Sequence, residues 1–361
     1  MLKRAAALLV VCASIALCVS CTTTSNRYLF ATLPTSNSIV VYREDPASGG
    51  LVQLVGSPVT AGPAVQSLAM HPSGKFLFAA NSAQNNVSLY AVSNGSLTET
   101  GARTPAGTSP TLLAIDSAGS FLYVANAGSF DVSVFSVNQT TGTLTPVTQL
   151  SGANTAPIGL SALNMAVAPS GNVLYVTGQG TQGYIEAFPL TGGVLGAQLA
   201  GSPFTTGDNP YGLAIAPGGG FLYTGNKTDS SISEFTIGSG GILTPLANSP
   251  ISEVYNAPVS LVIDKSGKYL YAANQGNGNL AGYSIGSDGS LTLLSSSPFV
   301  TGTQPNFVAA DPGGGYIFVG YGTSPPALQS FSLAGSSGTL TSVGAYSVTG
   351  SGAPTSIVVS P

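Results

Sequence analysis

Charge is scarce in this chain: nine Lys plus Arg, 13 Asp plus Glu and a single His make only 6% of 361 residues charged, against about 25% in ordinary soluble domains. Nucleic-acid binding needs a clustered basic face to neutralise phosphates, and nine cations spread singly provide none. Cysteine is equally sparse, with Cys12, Cys18 and Cys21 the whole complement. The first two fall in an apolar N-terminal run, so once that run is removed no disulfide can form within the chain. One histidine leaves no His/Cys metal cluster, and no G-x-S-x-G elbow or phosphate-binding Gly loop is present. Long helices are excluded as well, because 47 Gly, 24 Pro and extended Ser/Thr stretches leave few windows of ten helix-compatible residues.

What the chain has instead begins with a leader. Lys3 and Arg4 precede an apolar run from Ala5 to Val19, too short and too asymmetrically flanked for a membrane span, which marks residues 1–20 as a signal peptide. The sequence Leu17-Cys18-Val19-Ser20-Cys21 resembles the lipobox of bacterial lipoproteins, although Cys18 stands where Leu is usual. The resemblance implies acylation of Cys21 and a short tether over 21–26, which leaves 27–361 as a single folded domain. Thr22 follows the Cys where inner-membrane retention would use Asp, so an envelope lipoprotein of the outer membrane or facing the periplasm is expected, held to the membrane by its lipid alone.

Self-similarity carries the fold. Prolines at Pro63, Pro110, Pro157, Pro210, Pro258, Pro305 and Pro354 recur at separations of 47, 47, 53, 48, 47 and 49 residues. In phase with them run an apolar strand after a Gly turn, such as Phe221-Leu222-Tyr223, and a lone aromatic in the next strand at Tyr42, Tyr90, Phe135, Phe188, Phe235, Tyr283 and Phe331. Each unit of about 47 residues holds four short strands divided by turn residues, the signature of a propeller blade. The first unit lacks its first strand and the last eleven residues, Ser351 to Pro361, match only a first strand. The expectation is therefore an all-β, seven-bladed propeller of four-stranded blades, closed by pairing its N- and C-terminal segments, and monomeric.

Units such as PYGLAIAPGGGFLYTGN (Pro210 to Asn226), PTLLAIDSAGSFLYVAN (Pro110 to Asn126) and DVSVFSV (Asp131 to Val137) resemble the seven-bladed lactonase family that includes the 6-phosphogluconolactonases. That resemblance covers nearly all of the chain after the leader and implies lactone chemistry by His, Glu and Arg at the mouth of the central channel. The residues depart from it. The one His, His71, occupies a turn position held by Asp116, Asp264 and Asp311 in other units, so backbone hydrogen bonding is its expected task. Arg27, Arg43 and Arg103 form no clamp for a phosphorylated substrate.

The loops between second and third strands and the connections between blades should open on one face, and there the sequence is rich in amides. Asn126, Asp131, Asn209, Asn226, Asp229, Asn274, Asn279, Gln304 and Asn306 are the candidate ligand-binding residues, with Tyr211 beside them. Asp131, Asp208 and Asp229 offer oxygens to a hard cation, but their spacing matches no calcium loop, and no cofactor or metal is assigned. Glu186 and Asp208 are the carboxylates best placed for acid/base work, with Glu234 on an equivalent strand. These readings favour a binding or scaffold propeller for a small neutral ligand or an envelope protein. The alternative is a lactonase acting on an unphosphorylated lactone.

Overall fold

The computed structural model describes residues 26–159, 161–322 and 326–361. The signal segment and Cys21 lie outside the described residues. Seven antiparallel sheets are arranged about one axis, and the innermost strands of successive blades adjoin all the way round. Blade I is built from both ends of the chain: Ile357–Val359 lies inside Arg27–Leu33, Ser38–Glu44 and Leu51–Gln53. Blades II to VII then follow in sequence, starting at Val65, Pro110, Ala162, Pro210, Pro258 and Pro305. In blades I to VI the outer strand is split in two, and its second piece, such as Thr155–Pro157 in blade III, pairs with the start of the third strand. Blade VII spans the same edge with one strand, Leu340–Ser347.

Two of the seven prolines are out of step with the blades. Pro63 precedes its strand by two residues, and Pro157 sits in the outer edge of blade III, so Val65 and Ala162 are the true counterparts of Pro110. Proline is tolerated both at the first residue of a strand and at a sheet edge, which is why a Pro count alone drifts. The aromatic marker keeps register everywhere. Each member faces a fully buried Leu or Ile on the second strand, from Leu29 opposite Tyr42 to Ile317 opposite Phe331. Such a cross-strand pair stabilises by burial, each aromatic covering roughly 150–250 Å².

Blades are interlocked as well as stacked. The glycine in each turn between third and outer strands has positive φ and lies against a residue at the start of the preceding blade's second strand: Gly95 on Tyr28, Gly142 on Phe76, Gly193 on Phe121, Gly241 on Val173, Gly289 on Phe221, Gly338 on Tyr269 and Gly49 on Tyr316. A Cβ at any of them would fall within 3.0 Å of that side chain, so both the backbone angle and the close approach demand glycine. Tyr175, Tyr223 and Tyr271 add hydroxyl hydrogen bonds to the carbonyls of Gly241, Gly289 and Gly338, at 2.8, 2.7 and 2.7 Å.

Candidate active or binding site at the channel mouth

The geometry of the inner strands decides which side chains reach the axis. In blades II to VII the pairing of first and second strands skips one residue just after the strand begins: Gln66, Thr111, Leu163, Tyr211, Val259 and Asn306. A bulge of this kind re-aims the extra residue. Leu163, Tyr211, Val259 and Asn306, joined by Thr355 two residues before the closing strand, line a cavity of about 260 Å³ where the channel opens. Asn164, Lys227, Ser260 and Gln275 complete its polar wall, and Leu112 and Phe307 its apolar one.

The polar groups are held in place by bonds between blades. Asn164 Nδ2 donates to the carbonyl of Tyr211 (2.6 Å), and Thr355 Oγ1 donates to the carbonyl of Gln66 (2.7 Å). Gln275 Nε2 donates to Asn306 Oδ1. That last bond leaves an acceptor, Gln275 Oε1, and a donor, Asn306 Nδ2, with no further protein partner for either among the described residues. Lys227 holds its ammonium 5.1 Å from the centroid of the Tyr211 ring, a cation–π placement, and has no carboxylate within 4.0 Å among the described residues. An aromatic ring, a free cation, paired amides and a threonine therefore converge on one small opening. Lys227, Gln275 and Asn164 were passed over in the sequence. The signal for the first two is their place one residue after the Asn that ends the second strand.

Most of the amides singled out by sequence belong to the framework. Asn126 and Asn226 are at most 1% exposed. Asn126 Nδ2 donates to Asp131 Oδ1 and Ser133 Oγ, and Asn226 Nδ2 to Ser231 Oγ and Ser233 Oγ. Asn274 is likewise buried and donates to Asn279 Oδ1. Asp229 Oδ2 accepts the Asp208 N–H, and Asn209, at positive φ, binds Thr228 Oγ1. Of the sequence candidates, Asn306 lines the mouth and Gln304 lines an adjoining groove. Among the described residues no three His, Cys, Asp or Glu side chains gather where they could hold a metal ion.

The carboxylates lie away from the cavity. Glu186 replaces the serine of the Asn–Ser clip in blade IV, where Gly178 stands in the Asn position. It is buried, accepts a bond from Gln198 Nε2 (2.8 Å), and burial pushes its pKa up to about 7. Glu234, also raised by burial, accepts the Leu291 N–H of the next blade. Glu253, between blades V and VI, is pushed up to about 8 by burial and accepts a bond from the Tyr283 hydroxyl. His71 sits on the opposite face, buried, with Nε2 bonded to the Gly119 carbonyl (3.1 Å) and Nδ1 receiving the Ser73 N–H. Both ring nitrogens are committed to turns, as the Asp residues are at equivalent positions.

A family model described as lactonase, 7-bladed beta-propeller, matches residues 60–158 and 251–360. The chain belongs to the seven-bladed lactonase family. No curated protein matches it at sequence level. Among solved structures, this lactonase-family propeller resembles a candidate 6-phosphogluconolactonase from Bacteroides fragilis, at 21% identity over 94% of this chain and 99% of that one, with a TM-score of 0.76. It resembles the periplasmic gluconolactonase of Pseudomonas aeruginosa equally, at 21% identity over 93% and 99%, with a TM-score of 0.74. Part of the hydrazine synthase of Kuenenia stuttgartiensis also aligns, at 14% identity over 80% and 91%, with a TM-score of 0.59. Likeness at such identity is a likeness of fold, and a fold shared by such different proteins does not by itself carry a reaction.

Proposed function

We propose that this lactonase-family propeller binds a small polyhydroxylated ligand of the sugar-lactone or sugar-acid class at the channel mouth, without hydrolysing it. The observation that carries the reading is the free pair Gln275 Oε1 and Asn306 Nδ2 beside Tyr211 and Lys227. A free acceptor and a free donor on one bonded amide pair suit hydroxyls, a tyrosine ring suits the apolar face of a sugar, and an ammonium suits a carbonyl or carboxylate oxygen. Hydrolysis would need a general base within reach of a bound water, and neither His71 nor the buried glutamates open on this cavity.

A second reading, lactone hydrolysis at the same mouth, is favoured by Lys227, whose charge could stabilise an oxyanion, and by the likeness to a periplasmic gluconolactonase. Calorimetric titration with gluconate and glucono-lactone, run beside a pH-stat assay on phosphorylated and unphosphorylated lactones, separates the two. Binding lost in Tyr211→Ala and Lys227→Ala, with no turnover, supports the binding protein. Turnover that Lys227→Ala abolishes supports the lactonase. No binding of either ligand overturns the assignment of the mouth. We also propose export and anchoring through Cys21 at the cell envelope. Palmitate labelling of the full chain that persists in Cys21→Ser would refute the anchor.

A further inference from the structure

Gln275 lines a second cavity as well as the mouth. This one, more open and of about 550 Å³, lies over the loop of blade VI, bounded by Asn277 and by the connections into blades VI and VII at Ala257, Thr303 and Gln304. The repeat changes at this loop. In the loop between second and third strands, the fourth residue after the terminal Asn is Asn85, Phe130 and Ser230 in blades II, III and V, but Gly278 in blade VI. Gly278 brings no side chain to this edge, and like Asn85, Phe130 and Ser230 it has positive φ.

Size and chemistry both bear on the occupant. The mouth alone, at about 260 Å³, falls below the roughly 300–1,000 Å³ of a typical small-molecule site, and the groove brings the combined space into that range. Every residue around the groove is uncharged, and the side chains offered are amides and one hydroxyl. A peptide would be recognised through an open strand edge or apolar anchor pockets, and the groove has neither. Resting on the mouth as a sugar site, we propose that the ligand is an oligosaccharide. Its terminal unit sits at Tyr211 and Lys227, and the next one or two units pass over Gln275 into the groove above the loop of blade VI.

An array of glycans one to six residues long, neutral and uronic-acid-ended, tests this with the full propeller and with Thr303→Trp, which fills the groove from an exposed position. The chain has no Trp, so the introduced indole also reports occupancy by fluorescence. Gly278→Asn, copying the left-handed Asn85 of blade II, is the second blocking variant. Affinity should rise about tenfold or more from one ring to two or three, and both variants should remove that rise while keeping single-ring binding. Equal affinity at all lengths, or a rise that survives both variants, overturns the extension and leaves the mouth assignment standing. Binding of no glycan overturns the mouth as a sugar site and the extension with it, as does capture of peptides in place of glycans.

Discussion

Asn226 and Lys227 are neighbours in the chain, and so are Asn274 and Gln275, yet each pair divides between two regions with different work. Asn226 is fully buried and clips the second strand of its blade to two serines on the third. Lys227, one residue on, lies over Tyr211 at the open mouth. Asn226 and Asn274 end their strands, and Lys227 and Gln275 open the turns that follow, so a single step along the sequence crosses from framework to candidate site. Polarity therefore says little about role in this propeller: the amides that recur in phase with the repeat hold the strands of each blade together. Those that break the repeat, Asn164, Gln275 and Asn306, surround the opening.

The largest expected effect breaks the framework itself. Deleting Ser351 to Pro361 removes the inner strand of blade I, together with Ile357 and Val359 from the core, the Ser360 N–H bond to the Tyr28 carbonyl, and the Ser356 hydroxyl that accepts the Leu68 N–H of blade II. An opened ring with a bare inner edge should melt more than about 10 °C lower or fail to fold. An unchanged melting curve would contradict closure by the termini.

Next in size is the clip. Asn226→Ala leaves Ser231 and Ser233 without their donor in a buried place and should cost about 1–3 kcal/mol, measured by chemical denaturation. A loss under about 0.5 kcal/mol would move Asn226 out of the framework. This comparison also marks how far the sequence could be read. The blade count, the closing strands and the Leu–aromatic register were legible because turn glycines and aromatics repeat under the packing demands of every blade. The site was less legible. Asn126, Asn226 and Asn274 were read as a mouth because Asn in a loop is a familiar ligand, whereas each ends a strand and points inward. Tyr211 and Asn306 could be flagged from sequence as blade-connection residues. That a bulge turns them onto the axis depends on a register shift no residue pattern announces.

A third test uses pH. Burial raises Glu253 to about 8, and Glu44 and Glu186 to about 7, while Glu44 is raised further by Asp311. An unfolded glutamate titrates near 4.3, so between these values the folded state binds more protons than the unfolded one. Stability is then fully present below about pH 4 and is lost as pH rises through 7 and 8. The melting temperature should fall steadily from pH 5 to pH 8, and Glu253→Gln should flatten the upper part of that slope. A curve that rises over the same range would mean these carboxyls are ionised in the fold and that the buried region between blades V and VI is wetter than its packing indicates.

The smallest effect on stability is expected at the mouth. Lys227 has no charged partner among the described residues and Tyr211 is 38% exposed, so Lys227→Ala and Tyr211→Ala should each shift unfolding by no more than about 0.5 kcal/mol. Their readout is ligand affinity, which both should reduce. The contrast between adjacent positions is what gives the pair its force. If Lys227→Ala unfolded as readily as Asn226→Ala, the cation would belong to the framework, and its place over Tyr211 would be packing. If the two separate, with stability lost at Asn226 and affinity lost at Lys227, a single step along the chain has divided what holds the ring from what the ring holds.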